Sequence, residues 1–226
     1  MVEEGAVSVN RKVIKKPSFL VNESDDICVD STADTCRYVG RGGLKLEAAL
    51  TAFAVSVEGQ VCLDIGASTG GFTDCLLQNG ASHVYALDAG KHQLAAKLIN
   101  DSRVTSMEER NAREMSPSDF KIRPTVAVMD VSFVSQTLIL PAIKDILPPD
   151  GILISLIKPQ FEVGRSGIGK NGIVKSEDLR KNAVKTVCAS AASHGLRKMG
   201  VIQSPITGGD GNIEYLAYFM REQETI

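Results

Sequence analysis

The stretch Val61-Cys-Leu-Asp-Ile-Gly-Ala-Ser-Thr-Gly-Gly71 constrains this chain more than any other. Val61, Leu63 and Ile65 read as a short buried strand, with Asp64 near its carboxyl end. Gly66, Gly70 and Gly71 follow as a tight turn, and Phe72 to Gln78 reads as a helix. A strand, a glycine loop and a helix in that order are how an open α/β sheet makes a nucleotide-sized crevice. Spacing separates the ligand classes. A dinucleotide fingerprint needs glycine where Ser68 stands, and a phosphate-binding loop ends in Gly-Lys-Ser/Thr, whereas Gly71 precedes Phe72. What remains is Asp64-x-Gly66-x-x-x-Gly70. The plainer alternative is that any buried strand can end in a glycine-rich turn.

That spacing resembles the first motif of S-adenosylmethionine-dependent methyltransferases. Their ligand has an α-amino acid part and no pyrophosphate, so an acidic group beside the loop makes chemical sense.

Composition narrows the classes further. The 226 residues, 43% apolar, suffice for one full domain and a small appendage. The net charge of -2 does not advertise a nucleic-acid binder, although local patches count for more than the sum. Cys28, Cys36, Cys62, Cys75 and Cys188 form no C-x-x-C pair, which fits a reduced, cytoplasmic protein. His83, His92 and His194 are scattered, so no metal site is expected. No signal peptide and no membrane-spanning run is read.

Residues 1–30 read as a small β-rich piece, 31–41 as a polar link and 42–226 as the α/β domain. Between Gly5 and Asn22 the charges are Arg11, Lys12, Lys15 and Lys16, with no acid. They could meet phosphates, but on charge alone a solvated surface is the commoner outcome. A helix is expected over about 42–54, with Lys45 near its start, where the helix dipole does nothing for a lysine.

Strands are then expected at 61–65, 83–87, 104–107, 126–129, 152–157, 198–203 and 213–220. Helices are expected at 70–79, 91–99, 135–147 and from Ser176 to about His194. The last two strands suit an antiparallel addition to a parallel sheet. Gln160 to Gly172 has the make-up of a mobile loop over a site. Asp88, ending the second strand, is placed to accept from a ribose. Asn111, in the loop after the third strand, could read an adenine edge or be ordinary surface. Asp130 and Lys158 end adjacent strands, whose ~4.8 Å spacing lets the side chains meet. Lys45 and Glu214 enter from flanking elements.

Several stretches together carry a closer resemblance. They are Arg37-Tyr-Val-Gly-Arg-Gly-Gly-Leu-Lys-Leu46, Leu63-Asp-Ile-Gly-Ala-Ser-Thr-Gly-Gly-Phe-Thr-Asp74, Asp130-Val-Ser-Phe133, Leu156-Ile-Lys-Pro-Gln-Phe-Glu162 and Ser204-Pro-Ile-x-Gly-Gly-x-Gly-Asn-x-Glu214. With them the chain resembles the TlyA type of the FtsJ-like ribose methyltransferases, often labelled hemolysins, over nearly its whole length. The resemblance implies a Rossmann-like fold with a seven-stranded mixed sheet and S-adenosylmethionine as cofactor. It implies Lys45, Asp130, Lys158 and Glu214 as the catalytic set, and Asp64, Gly66, Ser68, Thr69, Gly70, Asp88 and Asn111 as cofactor positions. It departs at Gly40, where serine is usual.

The N-terminal pattern, G-x-V-x-V-N then K-P-S and a closing D-x-I-x-V, resembles the C-terminal half of an S4 RNA-binding domain. The helices of that class would lie before Met1, so weakened RNA binding is expected. Arg11, Lys12, Lys15, Lys16 and Arg41 are the candidates for RNA contact.

The implied reaction is 2'-O-methylation of ribosomal RNA at a cytidine, with ribosomal RNA or subunits as partners. A ribose 2'-hydroxyl is a poor nucleophile while protonated, and the sulfonium methyl is already activated, so no metal is required. The alternatives are a non-catalytic RNA-binding or assembly factor that kept the fold, and a membrane-active hemolysin. An amino-group methyltransferase would show Asn/Asp-Pro-Pro-aromatic where Asp130-Val-Ser-Phe133 stands.

Overall fold

A computed structural model describes Val2, residues 5–30 and residues 37–223. The expected link at 31–41 therefore lies mostly outside the described residues.

The N-terminal piece is a three-stranded antiparallel sheet of β1 (Val7–Val9), β2 (Lys12–Ile14) and β3 (Ile27–Val29), in the order β2-β1-β3. Val9 pairs with Lys12, leaving a two-residue hairpin turn at Asn10 and Arg11, both with positive φ. Asparagine tolerates that conformation, and it matches the twist of the strands it joins. Asn10 also accepts from the Asp26 N–H and donates to the Asp25 carboxylate, tying the hairpin to the turn before β3.

The main body holds a seven-stranded mixed sheet. In chain order its elements are α1 (Gly42–Ala52), β4 (Val61–Ile65), α2 (Gly71–Gln78), β5 (His83–Leu87), α3 (Ala96–Ile99), β6 (Val104–Met107) and β7 (Val126–Met129). Then come α4 (Leu140–Ile146), β8 (Ile152–Ile157), α5 (Glu177–Ser193), β9 (Leu196–Gln203) and β10 (Tyr215–Arg221). The strand order is β6-β5-β4-β7-β8-β10-β9. The first five are parallel, and β10 inserts between β8 and β9, antiparallel to both. All four residues of β7 are buried, as a central strand covered on both faces requires. Alternate residues face two separate cores. Leu63, Ile65, Ala127 and Met129 pack with α4 and α5, whereas Cys62, Val84 and Val128 pack with α1 and α2. No helix among the described residues is long and apolar enough to cross a membrane.

Three expectations change. The helix expected at 91–99 shrinks to the four residues of α3. The Glu108 carboxylate accepts from the backbone N–H groups of His92, Gln93 and Leu94, which holds that stretch as an irregular turn. The helix expected at 135–147 opens as a 3-10 turn at Gln136–Leu138 and becomes α-helical only over Leu140–Ile146, with Pro141 at its start. The stretch after β8 is not irregular throughout, since it forms 3-10 turns at Pro159–Phe161, Arg165–Gly167 and Lys170–Gly172. Asn212 anchors its far end, accepting from the Val174 N–H and donating to the Gly172 carbonyl.

The tips of β4 and β7 lie very close together. A Cβ at Gly66 would stand 2.4 Å from the Asp130 carbonyl oxygen, and Gly66 has φ +84°. Both the left-handed backbone and the contact exclude a side chain there. Gly66→Ala is therefore expected to cost about 2 kcal/mol or more, measured by urea denaturation. A variant of unchanged stability would mean the two tips are free to separate.

Candidate active site

The parallel register sets Met129 of β7 opposite Ser155 of β8, so both strands end on the same edge of the sheet. Asp130 and Lys158 are the polar residues that follow. Their side chains form an ion pair, Lys158 Nζ to Asp130 Oδ1, at 2.7 Å. Lys158 Nζ also donates to Ser132 Oγ at 2.8 Å.

A second pair lies behind the first. Lys45 sits in the first turn of α1 and donates to Glu214 Oε2 at 2.5 Å, with side chains only 9% and 2% exposed. Glu214 directly precedes β10. That strand pairs Tyr215 with Ile157, so Glu214 is carried to the level of Lys158. The Gly208 position makes room for it, because a Cβ there would be 2.5 Å from Glu214 Oε1. Each lysine thus has its own carboxylate.

Two cavities open at these tips. The smaller, about 280 Å³, is lined by Arg41, Lys45, Thr69, Phe72, Asp130 and Lys158 among others. The larger, about 770 Å³, is lined by Leu87, Asp88, Asn111, Val131, Phe133 and Ile139 among others. Gly66, Ser68, Asp130 and Ser132 border both. The larger volume suits a nucleoside-sized ligand. It combines apolar walls at Leu87, Val131 and Ile139 with a hydrogen-bond acceptor at the Asp88 carboxylate. Asp88 also organises the loop, since Oδ2 accepts from the Ser68 N–H and Oδ1 from the Gly90 N–H. Each oxygen keeps a second lone pair for a ligand hydroxyl. Ser68, at φ 48°, and Phe133, at φ 64°, hold left-handed backbone on this wall. Such strain in non-glycine residues gathers at functional sites.

Asp64 lies elsewhere than expected. It faces α2 under the loop, is wholly buried and borders neither cavity. Its Oδ2 accepts from Thr73 Oγ1 at 2.6 Å, while Oδ1 has no hydrogen-bond partner among the described residues. Burial chiefly, aided by the nearby charges of Asp130 and Asp88 and opposed by the Thr73 hydrogen bonds, pushes its carboxyl up to about 7. Its reach to a bound ligand is through the loop above it. Asn111 does border the larger cavity, but its side chain is engaged locally. It accepts from the Arg113 N–H and donates to Glu114 Oε1, as the cap of its own turn. Gly70, at φ +97°, leaves space filled by Leu98 and Leu94, so its role is in packing the loop.

Arg11, Lys12, Lys15 and Lys16 are exposed on the small sheet, and Arg41 is exposed at the mouth of the smaller cavity. Only Arg41 is brought to the tetrad. Sequence reasoning did not single out Ser132 or Phe133 as site residues, though both stand in the Asp130-Val-Ser-Phe133 stretch. Nor did it foresee a polar brace behind them. Glu162 accepts from Ser135 Oγ and the Gln136 N–H, and Gln136 donates to the Leu156 carbonyl and accepts from Ser155 Oγ. No cluster of three or more metal-binding side chains occurs among the described residues.

Comparison with known proteins agrees with this architecture. Residues 38–221 match the FtsJ-like methyltransferase family and residues 1–27 the S4 domain. An rRNA methyltransferase of Bacillus subtilis, provisionally so named as YqxC, is 46% identical over 215 residues, covering 95% of this chain and 76% of the relative. The 16S/23S rRNA (cytidine-2'-O)-methyltransferase TlyA of Mycobacterium tuberculosis is 39% identical over 224 residues, covering 99% of this chain and 83% of the relative. A solved structure from Streptococcus thermophilus, provisionally named a hemolysin, superposes with a TM-score of 0.86 at 46% identity, covering 98% of this chain and 81% of that one.

The buried Asp64 yields a pH test. Its folded-state value, about 7, lies above the ordinary 3.8. The native state therefore holds a proton that the unfolded chain releases, and this contribution to stability is full below pH 4 and lost as pH rises to about 7. Relative to wild type, Asp64→Asn should gain stability progressively across that window and level off above it, measured by denaturant melts at successive pH values. A stability difference that stays flat from pH 4 to 8 would show that Asp64 is ionised throughout.

Proposed function

The chain belongs to the FtsJ-like methyltransferase family, in its TlyA branch, and we propose that it moves a methyl group from S-adenosylmethionine to a ribose 2'-hydroxyl of ribosomal RNA, at a cytidine. The observation that carries this reading is the Asp130–Lys158 pair, with Asp130 on the wall shared by the two cavities and Lys158 lining the smaller. A group held in the larger cavity and a hydroxyl held in the smaller would meet beside Lys158.

The cofactor, when bound, supplies an electrophilic methyl on a sulfonium. Asp88 would hold its ribose, the Gly66–Gly70 loop its amino acid part, and Leu87, Val131 and Ile139 its base. Lys158 contacts the acceptor oxygen. As a free amine it takes the hydroxyl proton, and as an ammonium it orients the oxygen and stabilises the negative charge that develops there. Asp130 fixes Lys158. Glu214 fixes Lys45, which places the acceptor or a neighbouring phosphate. No metal enters this scheme.

RNA is supported as the substrate by the S4 match over residues 1–27 and by Arg41, whose guanidinium suits a phosphate at the mouth of the acceptor cavity. Cytidine and ribosomal RNA are taken from the name of the Mycobacterium tuberculosis relative. Such a substrate agrees with a cytoplasmic protein.

Lys158→Ala should lower transfer to unmodified ribosomal subunits by about a hundredfold or more, with S-adenosylmethionine affinity by calorimetry unchanged. Transfer at the wild-type rate would remove Lys158 from the chemistry. Asp88→Ala should do the reverse, weakening cofactor binding at least about tenfold through the lost charged hydrogen bonds. Unaltered affinity would take Asp88 out of the cofactor site.

A further inference from the structure

A lysine amine has three positions around Nζ besides its own carbon. At Lys158 one is directed to Ser132 Oγ at 2.8 Å, the only hydrogen bond of Nζ among the described residues, while Asp130 Oδ1 stands 2.7 Å away as the counter-charge without hydrogen-bond geometry. The others remain for the acceptor, and the Ser132 bond together with the ion pair determines where they point. With Asp130 alone, Nζ could rotate about that contact. With Ser132 as well, the orientation is set.

Ser132 has further marks of a working residue. It is exposed, and it borders both cavities, where the acceptor and the methyl donor would meet. Its own hydroxyl proton has no acceptor among the described residues, so it is available to a ligand. The chain turns sharply just beyond it, since Phe133 takes φ 64° with its side chain 93% exposed. A bulky aromatic in left-handed backbone, gaining no burial, is held there by its surroundings. The holding contacts are on either side. Asp130 N–H donates to the Ile65 carbonyl before the turn, and the Ser135 and Gln136 contacts with Glu162 follow it. Glu162 lies in the same turn that leaves Lys158, so one brace ties together the segments carrying Ser132 and Lys158.

We propose that Ser132 is a positioning residue for the transfer: its hydroxyl takes one Nζ–H of Lys158, so that a remaining Nζ position, whether N–H or lone pair, is presented to the acceptor oxygen in the smaller cavity. This rests on the methyl-transfer reading above. It adds to the tetrad a fifth side chain that acts through Lys158.

The test compares Ser132→Ala, Ser132→Thr and wild type in two assays. In steady-state transfer to ribosomal subunits, Ser132→Ala should lower kcat about tenfold, the scale of one lost hydrogen bond. KM and cofactor affinity should stay within about twofold. Ser132→Thr, which keeps the hydroxyl, should recover most of the rate. The second assay needs no turnover. Acetylation of Lys158 by an N-hydroxysuccinimide ester, followed by peptide mass spectrometry, should be several-fold faster in Ser132→Ala, because the amine has lost an acceptor that holds it. Wild-type kcat and wild-type labelling in Ser132→Ala would overturn the inference, as would equal impairment of the Ala and Thr variants. If wild type transfers nothing yet labelling accelerates in Ser132→Ala alone, the methyl-transfer reading fails while the Ser132–Lys158 coupling stands.

Discussion

Adjacent parallel strands are fixed about 4.8 Å apart by their hydrogen-bond ladder. That spacing is what brings Asp130 and Lys158 together at the tips of β7 and β8, at 2.7 Å. Nothing else is needed to form the pair, because the backbone has already placed both residues on the carboxyl edge of the sheet. The rest of the site is arranged around it. Gly66 lets β4 close onto β7 from one side, and the antiparallel entry of β10 carries Glu214 in from the other.

The Lys45–Glu214 pair obeys a different logic. Its members are 169 residues apart in sequence and both are buried. Taking two charges out of water costs more than their attraction commonly returns, so a buried pair is weak evidence for stability. Its placement behind Lys158 instead favours a functional reason for keeping it. Gly208 gives up a side chain to admit Glu214, and Asn212 ties the same turn to the stretch after β8. The fold therefore gives space and hydrogen bonds to hold a carboxylate where a hydrophobic core would exclude it.

Much of this was legible in the sequence because it depends on alternation and on strand ends. The seven strands and the mixed sheet follow from where apolar runs stop, and Asp130 and Lys158 from the charges that end two of them, whereas the set with Lys45 and Glu214 is what the resemblance implies. What was not legible depends on contacts between distant residues. The expected 91–99 helix yields to Glu108, a carboxylate that reaches back 14 to 16 residues to three backbone N–H groups. Asp64, expected beside the ligand, is turned by the alternation along β4 toward α2 and Thr73. Asn111 spends its amide on its own turn. The contact of Ser132 with Lys158 stands just before a left-handed turn at Phe133 that no residue preference announces, since a bulky aromatic is among the least expected residues there.

The most direct measurement is to incubate the wild-type protein with labelled S-adenosylmethionine and unmodified ribosomal subunits, then digest the RNA and identify the labelled nucleoside by mass spectrometry. The account predicts a methyl on the ribose oxygen, recovered as 2'-O-methylcytidine. A methyl on a base would contradict it, because the pocket beside Lys158 would then be serving a different acceptor. Label in neither, from a protein that binds both cofactor and RNA, would contradict it more deeply and leave a binding protein that keeps the fold of an enzyme.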